Sequence, residues 1–294
     1  MKALIITPAC NEELHLNQLI DSVVNQSTLP SQWIIVDDGS TDSTSSIIEK
    51  ASIDYPWINY LRKPKADLRS PGKSVMEAFY YGYNKKGNIP YDIIMKIDAD
   101  LILPVNYIES VVKKMVKNQN IGICGGVCLV HSKGHYIIEN ETNLDHVRGA
   151  IKAYRKSCFD DIGGLLKNMG WDTVDEHYAR FKGWEVCVLV DLEVIHQRST
   201  YHEYGFIKAA FRNGKMLYSI RMGFLLLLSN CIKKAFKPPY IILGISMLLG
   251  YCFSFVNRED KIVDPDLGVF IRNYRWQKIR SRFNSLFTLF FSTW

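Results

Sequence analysis

The feature that most constrains the fold is an alternation in the first 130 residues. Short apolar runs at 3–7, 33–36, 58–61, 93–97 and 121–130 read as buried strands. Between the first two, Leu16, Leu19, Ile20, Val23 and Val24 recur at helical spacing. After the fourth, Pro104 opens a segment with Ile108, Val111, Val112, Met115 and Val116 on one face. Strand and helix in alternation predict an α/β fold: a Rossmann-like, mostly parallel sheet with helices on both faces. Ligands of such sheets bind beyond the carboxyl ends of the strands. Three polar clusters fall there: Pro8-Ala9-Cys10-Asn11-Glu12, Asp37-Asp38-Gly39-Ser40 and Asp98-Ala99-Asp100.

The chemistry of these clusters is that of a charged, phosphorylated ligand. Asp98 and Asp100, delivered two residues apart by a buried strand, suit a hard divalent cation, which takes oxygen ligands and bridges phosphate oxygens. A helix-capping turn before Pro104 is the plainer reading of the same residues. Asp37 or Asp38 can accept hydrogen bonds from a ribose hydroxyl or a base N–H. Capping accounts for Ser40, Thr41 and Asp42 but not for the doubled aspartate. Glu12 and Glu13 in a first helical turn are favourable for dipole reasons alone.

Taken in order, Thr7-Pro8-Ala9-Cys10-Asn11-Glu12, Ile35-Val36-Asp37-Asp38-Gly39-Ser40-Thr41-Asp42 and Asp98-Ala99-Asp100 resemble the sequential hallmarks of glycosyltransferase family 2. Gly163-Gly164 followed by Trp171-Asp172-Thr173, ahead of Arg180 and Gly183, resembles the family's acceptor-side segment. His196-Gln197-Arg198-Ser199 resembles the strand end that closes its diphosphate site. The match covers residues 1 to about 200. The resemblance implies a GT-A fold, a UDP-, GDP- or dTDP-linked sugar donor, a Mg²⁺ or Mn²⁺ ion and inversion at the anomeric carbon. It implies that Pro8, Ala9, Asn11, Glu12, Asp37, Asp38, Lys73, Asp98 and Ala99 position the donor. Asp98, Asp100 and His196 would hold the metal, although His196 also reads as a structural histidine.

The chain departs from the family where a Glu-Asp pair is usual and Trp171-Asp172 stands instead. The base role passes to Asp172, with Asp175 one turn later as its rival. Arg62, Lys63, Lys65, Arg69 and Lys73 cluster before a helix start where the family tends to place a cation; a solvated basic loop is the plainer reading. His131, His135, His146 and His177 lack such a context.

Residues 131–200, punctuated by Gly149, Gly163, Gly164, Gly170 and Gly183, read as an acceptor-side lid and floor. The expected division is a catalytic domain at 1–200 and a helical, basic, apolar region at 201–294. The net charge is +6, yet residues 201–294 alone carry 14 Lys or Arg against 5 Asp or Glu. Residues 240–256 form an uncharged run, at the short limit for a spanning helix. Basic residues beside Phe, Leu and Trp suit a helix in a membrane interface, with a spanning hairpin and a soluble subdomain as alternatives. The aromatic-rich end, Trp276 to Trp294, suits contact with a second copy equally well.

Seven cysteines, mostly in apolar runs and without zinc spacing, read as reduced core residues. The opening Met1-Lys2-Ala3-Leu4-Ile5-Ile6 is shorter than the apolar core of a signal peptide, about 7–15 residues. The expected place is therefore the cytoplasmic side of a membrane, peripheral or shallowly inserted, with a glycan or lipid-linked acceptor and no nucleic acid. A catalytically silent nucleotide-sugar-binding partner of a membrane glycan-assembly complex is the alternative. A sugar-1-phosphate nucleotidyltransferase would need Gly and Lys after the first strand, and residues 8–12 have neither.

Overall fold

The structure, a computed structural model, describes residues 1–64, 72–132, 134–139, 145–198 and 205–291, the last ten by backbone alone. Lys65, Arg69, Ser199 and Trp294, all named above, lie outside the described residues. The chain divides into two compact units, Met1–Ser199 and Thr200–Trp294.

The first unit opens with the expected alternation: β1 (Ala3–Ala9), α1 (Leu16–Val24), β2 (Gln32–Asp37), α2 (Thr44–Asp54), β3 (Ile58–Arg62), α3 (Lys73–Asn84) and β4 (Ile93–Ile97). The four strands pair in parallel in the order β3-β2-β1-β4, with Thr7 opposite Ile35 and Ile6 opposite Lys96. Every residue of β2 and β4 is buried, because helices cover both faces. On α1, Leu16, Leu19, Ile20 and Val23 turn inward as their spacing requires.

The sheet then continues through β5 (Leu101–Ile102), α4 (Tyr107–Lys117), β6 (Ile121–Ser132), β7 (His135–Ile138), β8 (Ile151–Arg155), α5 (Lys156–Asp161), α6 (Trp171–Phe181) and β9 (Glu185–His196). β8 joins β4 antiparallel, β6 joins β8 antiparallel, β9 runs parallel to β6, and β5 closes the order. Residues 131–200, expected as an irregular lid and floor, thus supply three strands of the same sheet and two helices. The reason they read as irregular is that their buried positions are polar: Lys152 and Arg155 of β8 are both inside.

The second unit consists of α7 (Phe206–Ser219), α8 (Phe224–Ala235), α9 (Ile241–Val256) and α10 (Pro265–Phe291). α7 and α9 meet backbone to backbone. A Cβ on Gly214 would lie 1.9 Å from the Met247 carbonyl oxygen, and one on Gly250 2.0 Å from that of Phe211. The Ser246 hydroxyl donates to the Ile207 carbonyl at 2.8 Å across this contact. No helix among the described residues is long and apolar enough to cross a membrane.

Candidate active site

Because β1, β2 and β4 run in one direction, their carboxyl ends open on one rim, bringing Asn11–Glu12, Asp37–Asp38 and Asp98–Asp100 together there. β9 adds its own end to this rim through β5, which sets Leu101 opposite His196. The Gln197 amide donates to the Asp100 carbonyl at 3.0 Å.

At the β2 end the two aspartates divide their work. Asp37 is fully buried; its carboxylate accepts from the Ser40 amide at 2.8 Å and the Ser45 hydroxyl at 2.5 Å, so it shapes the turn. Asp38 pairs with Lys63 at 2.7 Å. Asn11, at φ 55°, ties the β1 loop to this turn: its side-chain carbonyl accepts from the Thr41 amide at 2.9 Å, and its own amide donates to Ser40 Oγ at 3.0 Å. Pro8 and Ala9 belong to β1, opposite Val36 and Asp37. Beside the turn lies an open cleft of about 400 Å³, lined by Gly39, Ser40, Thr41, Arg62, Lys63 and Pro64. Of the described basic residues expected here, Lys63 holds Asp38 at 2.7 Å and Arg62 lies 3.7 Å from Asp37. Lys73 is exposed, with its ammonium 3.9 Å from Glu77.

At the β4 end, Ala99 and Asp100 are buried and Asp98 is partly exposed. The Lys96 ammonium contacts the Asp98 carboxylate and donates to the Gly149 carbonyl at 2.9 Å. Asp100 Oδ2 lies 3.3 Å from His196 Nε2 and 3.4 Å from Arg198 Nη2, while Arg198 also holds Glu12 at 2.8 Å. Burial opposes the charge on Asp100, but the hydrogen bond and charge of His196, with Arg198, outweigh it and lower its pKa. His196 is the converse. Burial disfavours its imidazolium, yet hydrogen bonds to Asp100 and to Glu139, 3.0 Å from Nδ1, raise its pKa to about 9. Glu139 is held in turn by Arg148 at 3.0 Å.

Glu12 carries an observation that points outward from the protein. Its Oε1 takes Arg198, but its Oε2 is buried with no hydrogen-bond partner among the described residues. Burial and the nearby charge of Asp100 push its pKa up to about 7, against the pull of Arg198. A buried carboxylate oxygen left without a donor is costly unless a ligand completes it. Asp98, Asp100 and His196 supply hard oxygens and one imidazole nitrogen, so the donor set fits a Mg²⁺- or Mn²⁺-like cation. Cys128, Glu139 and His196 also converge. Burial pushes the Cys128 thiol up to about 12, so it stays protonated and the trio forms the layer behind the same site.

Facing this rim is the start of α6. Asp172 lies in its first turn with the side chain 29% exposed, against Gly149, where an added Cβ would come within 2.9 Å of it. His146 sits 3.8 Å from its carboxylate. Asp175 is enclosed: Lys152 donates to both its oxygens at 2.8 and 2.9 Å, and the Tyr154 hydroxyl at 2.5 Å. Its side chain is 1% exposed, so it has no route to an incoming hydroxyl. Glu176, the next residue, is held below the usual carboxylate range because Lys152, His146 and Arg180 outweigh the opposing effect of burial.

Glu139, Arg148, His146 and Lys96 join the site without having been expected. Only Lys96 carried a sequence signal, a lysine inside an apolar strand two residues before an aspartate. Glu139 and Arg148 reach the rim through β7 and the loop before β8, and no local pattern marks them.

The family model described as Glycosyl transferase family 2 matches residues 4–163, more than half of the chain. The chain is similar to Glycosyltransferase GlyA of Streptococcus pneumoniae serotype 4, with 27% identity over 184 residues, 62% of this chain and 24% of that protein. It therefore spans about a quarter of that relative's length. Among solved structures, TarS 1–349 of S. aureus in complex with UDP-GlcNAc aligns at TM-score 0.57 and 16% identity, covering 93% of this chain and 79% of the other. Mannosyltransferase PcManGT from Pyrobaculum calidifontis, in complex with GDP-Man and Mn²⁺, aligns at TM-score 0.57 and 13% identity, covering 98% and 83%. At these identities the two structures speak for a shared GT-A fold.

Proposed function

This chain belongs to glycosyl transferase family 2, and from that premise we propose that it moves a sugar from a nucleoside-diphosphate-sugar to an acceptor hydroxyl with inversion. The observation that carries the reading is the convergence of Asp98, Asp100, His196, Arg198 and the half-satisfied Glu12 on the rim that Asp172 faces. The nucleotide occupies the cleft beside Asp38 and Lys63, with Arg62 at its edge. Asp98, Asp100 and His196 would hold a divalent cation, which supplies positive charge to the departing diphosphate. Arg198 adds a fixed cation on the same side. Asp172, in the first turn of α6 and partly open to solvent, takes the acceptor's proton as its oxygen attacks the anomeric carbon. Attack from the face opposite the leaving diphosphate inverts the configuration. Asp175 and Lys152 do not enter the chemistry; they hold α6, and so Asp172, in place.

TarS and PcManGT were solved with different nucleotides, UDP-GlcNAc and GDP-Man. UDP-, GDP- and dTDP-sugars therefore all belong in the test, which is a thermal-shift screen with and without Mn²⁺. The reading expects one nucleotide class to raise the melting temperature only with metal present. Folded chain that no nucleotide stabilises would refute it. Donor binding with no transfer to any glycan or lipid-linked acceptor would leave the silent partner as the better account. A role in polysaccharide or glycolipid assembly belongs to the same proposal and rests on the likeness to the family.

A further inference from the structure

We propose that the exposed faces of α8 and α9 lie on an anionic lipid surface. In and just after α8, Phe224, Leu228, Ile232 and Phe236 recur every fourth residue and are 42–77% exposed. On α9, Ile241, Ile245, Leu249 and Phe253 repeat that spacing at 49–65% exposure. Side chains four apart share one helix face, so each helix presents a continuous apolar stripe. Neighbouring positions are already occupied: Leu227 and Cys231 are buried beside the stripe on α8, and Leu243, Met247 and Gly250 on the far side of α9. Phe253 also touches Phe211 and the Lys215 ammonium, but two such exposed apolar stripes side by side in the sequence exceed the scattered apolar exposure of an ordinary surface.

Charge identifies the occupant. Residues 205–257 carry seven Lys or Arg and no Asp or Glu. Three of the seven, Lys233, Lys234 and Lys237, cluster where α8 gives way to α9. Burial and the charges of Lys237 and Lys233 hold the Lys234 ammonium below its ordinary pKa, a crowding that lipid phosphates would relieve. A second copy of this face would bring cations against cations, since an isologous contact pairs a patch with itself. An anionic bilayer instead matches both the apolar stripes and the cations. α9, with 16 residues, is about 24 Å long against a hydrocarbon core of about 30 Å, so it lies in the interface rather than across it.

The test is sedimentation of the full chain with vesicles of phosphatidylglycerol and of pure phosphatidylcholine. The proposal expects binding to the first, weakened by salt, and little to the second. Leu228→Glu with Ile245→Glu, both at exposed positions, should cut vesicle binding by about tenfold or more at an unchanged circular-dichroism melt. Lys233→Gln with Lys237→Gln keeps the apolar stripes and should remove the preference for anionic vesicles, again about tenfold. Folded chain that binds neither vesicle, or binds as well after both pairs of substitutions, overturns the proposal. So does a dimer that the Glu pair dissociates while vesicle binding is absent, which would give the face to a second copy.

Discussion

Asp172 and Asp175 stand three residues apart on α6, yet their surroundings are opposite. One is partly open beside Gly149, and the other is closed in by Lys152 and Tyr154. Asp172→Asn should therefore lower transfer by about 10²–10⁴ while the donor-induced melting shift persists, read by coupling a transfer assay to the thermal-shift screen. Glu139 fixes the imidazole of His196 through Nδ1 as an outer-layer carboxylate does for a metal-binding histidine. Glu139→Gln should weaken Mn²⁺ binding, followed by calorimetry, by about 10–100-fold. The pH behaviour of the metal-free chain follows from the same residues. His196 is raised from 6.5 to about 9, so its contribution to stability is complete below pH 6.5 and lost as pH rises to 9. Glu12, raised from 4.5 to about 7, loses its contribution between those two values. Chelator-treated protein should thus melt lower at pH 9 than at pH 6.5, and His196→Asn should flatten that difference.

Among the elements, strands whose buried positions are mostly apolar were legible in the sequence, and the strand that buries two cations was not. β1, β2 and β4 are mostly apolar, and their ends carried the expected site residues. β8 reads Ile151-Lys152-Ala153-Tyr154-Arg155, all buried, with its two cations satisfied from distant elements: Lys152 by Asp175 on α6, Arg155 by the Ile121 and Met115 carbonyls. No local rule foretells a buried strand whose polar groups are answered 20 to 40 residues away. The consequence is testable. Lys152→Met leaves Asp175 buried without its cation, while Glu176 keeps Arg180 and His146, and should cost about 3–5 kcal/mol in a urea melt. In the second unit, Gly250→Leu should prevent the α7–α9 contact and lower the melting temperature, because the new Cβ falls on the Phe211 carbonyl.

At the scale of the whole molecule the chain separates its charges. Residues 1–200 carry 22 Lys or Arg against 25 Asp or Glu, and the excess of positive charge lies beyond them. The residues assigned to donor, metal and base all belong to the unit Met1–Ser199, and the apolar stripes to Thr200–Trp294. Lys233→Glu with Lys237→Glu should accordingly leave the metal-dependent donor shift unchanged while vesicle sedimentation is lost.

From the order of residues alone came the alternating architecture, the rim on which the acids gather and the family likeness, because each depends on short-range periodicity or on a motif contiguous in the chain. Only the folded chain decided which acid does what. Asp37 shapes a turn and Asp38 meets Lys63; Asp175 is sealed and Asp172 open; Glu139 and Arg148 arrive from outside every motif. The physical reason is that a carboxylate's role is set by its burial and by the donors that reach it, and those donors come from strands and helices distant in sequence.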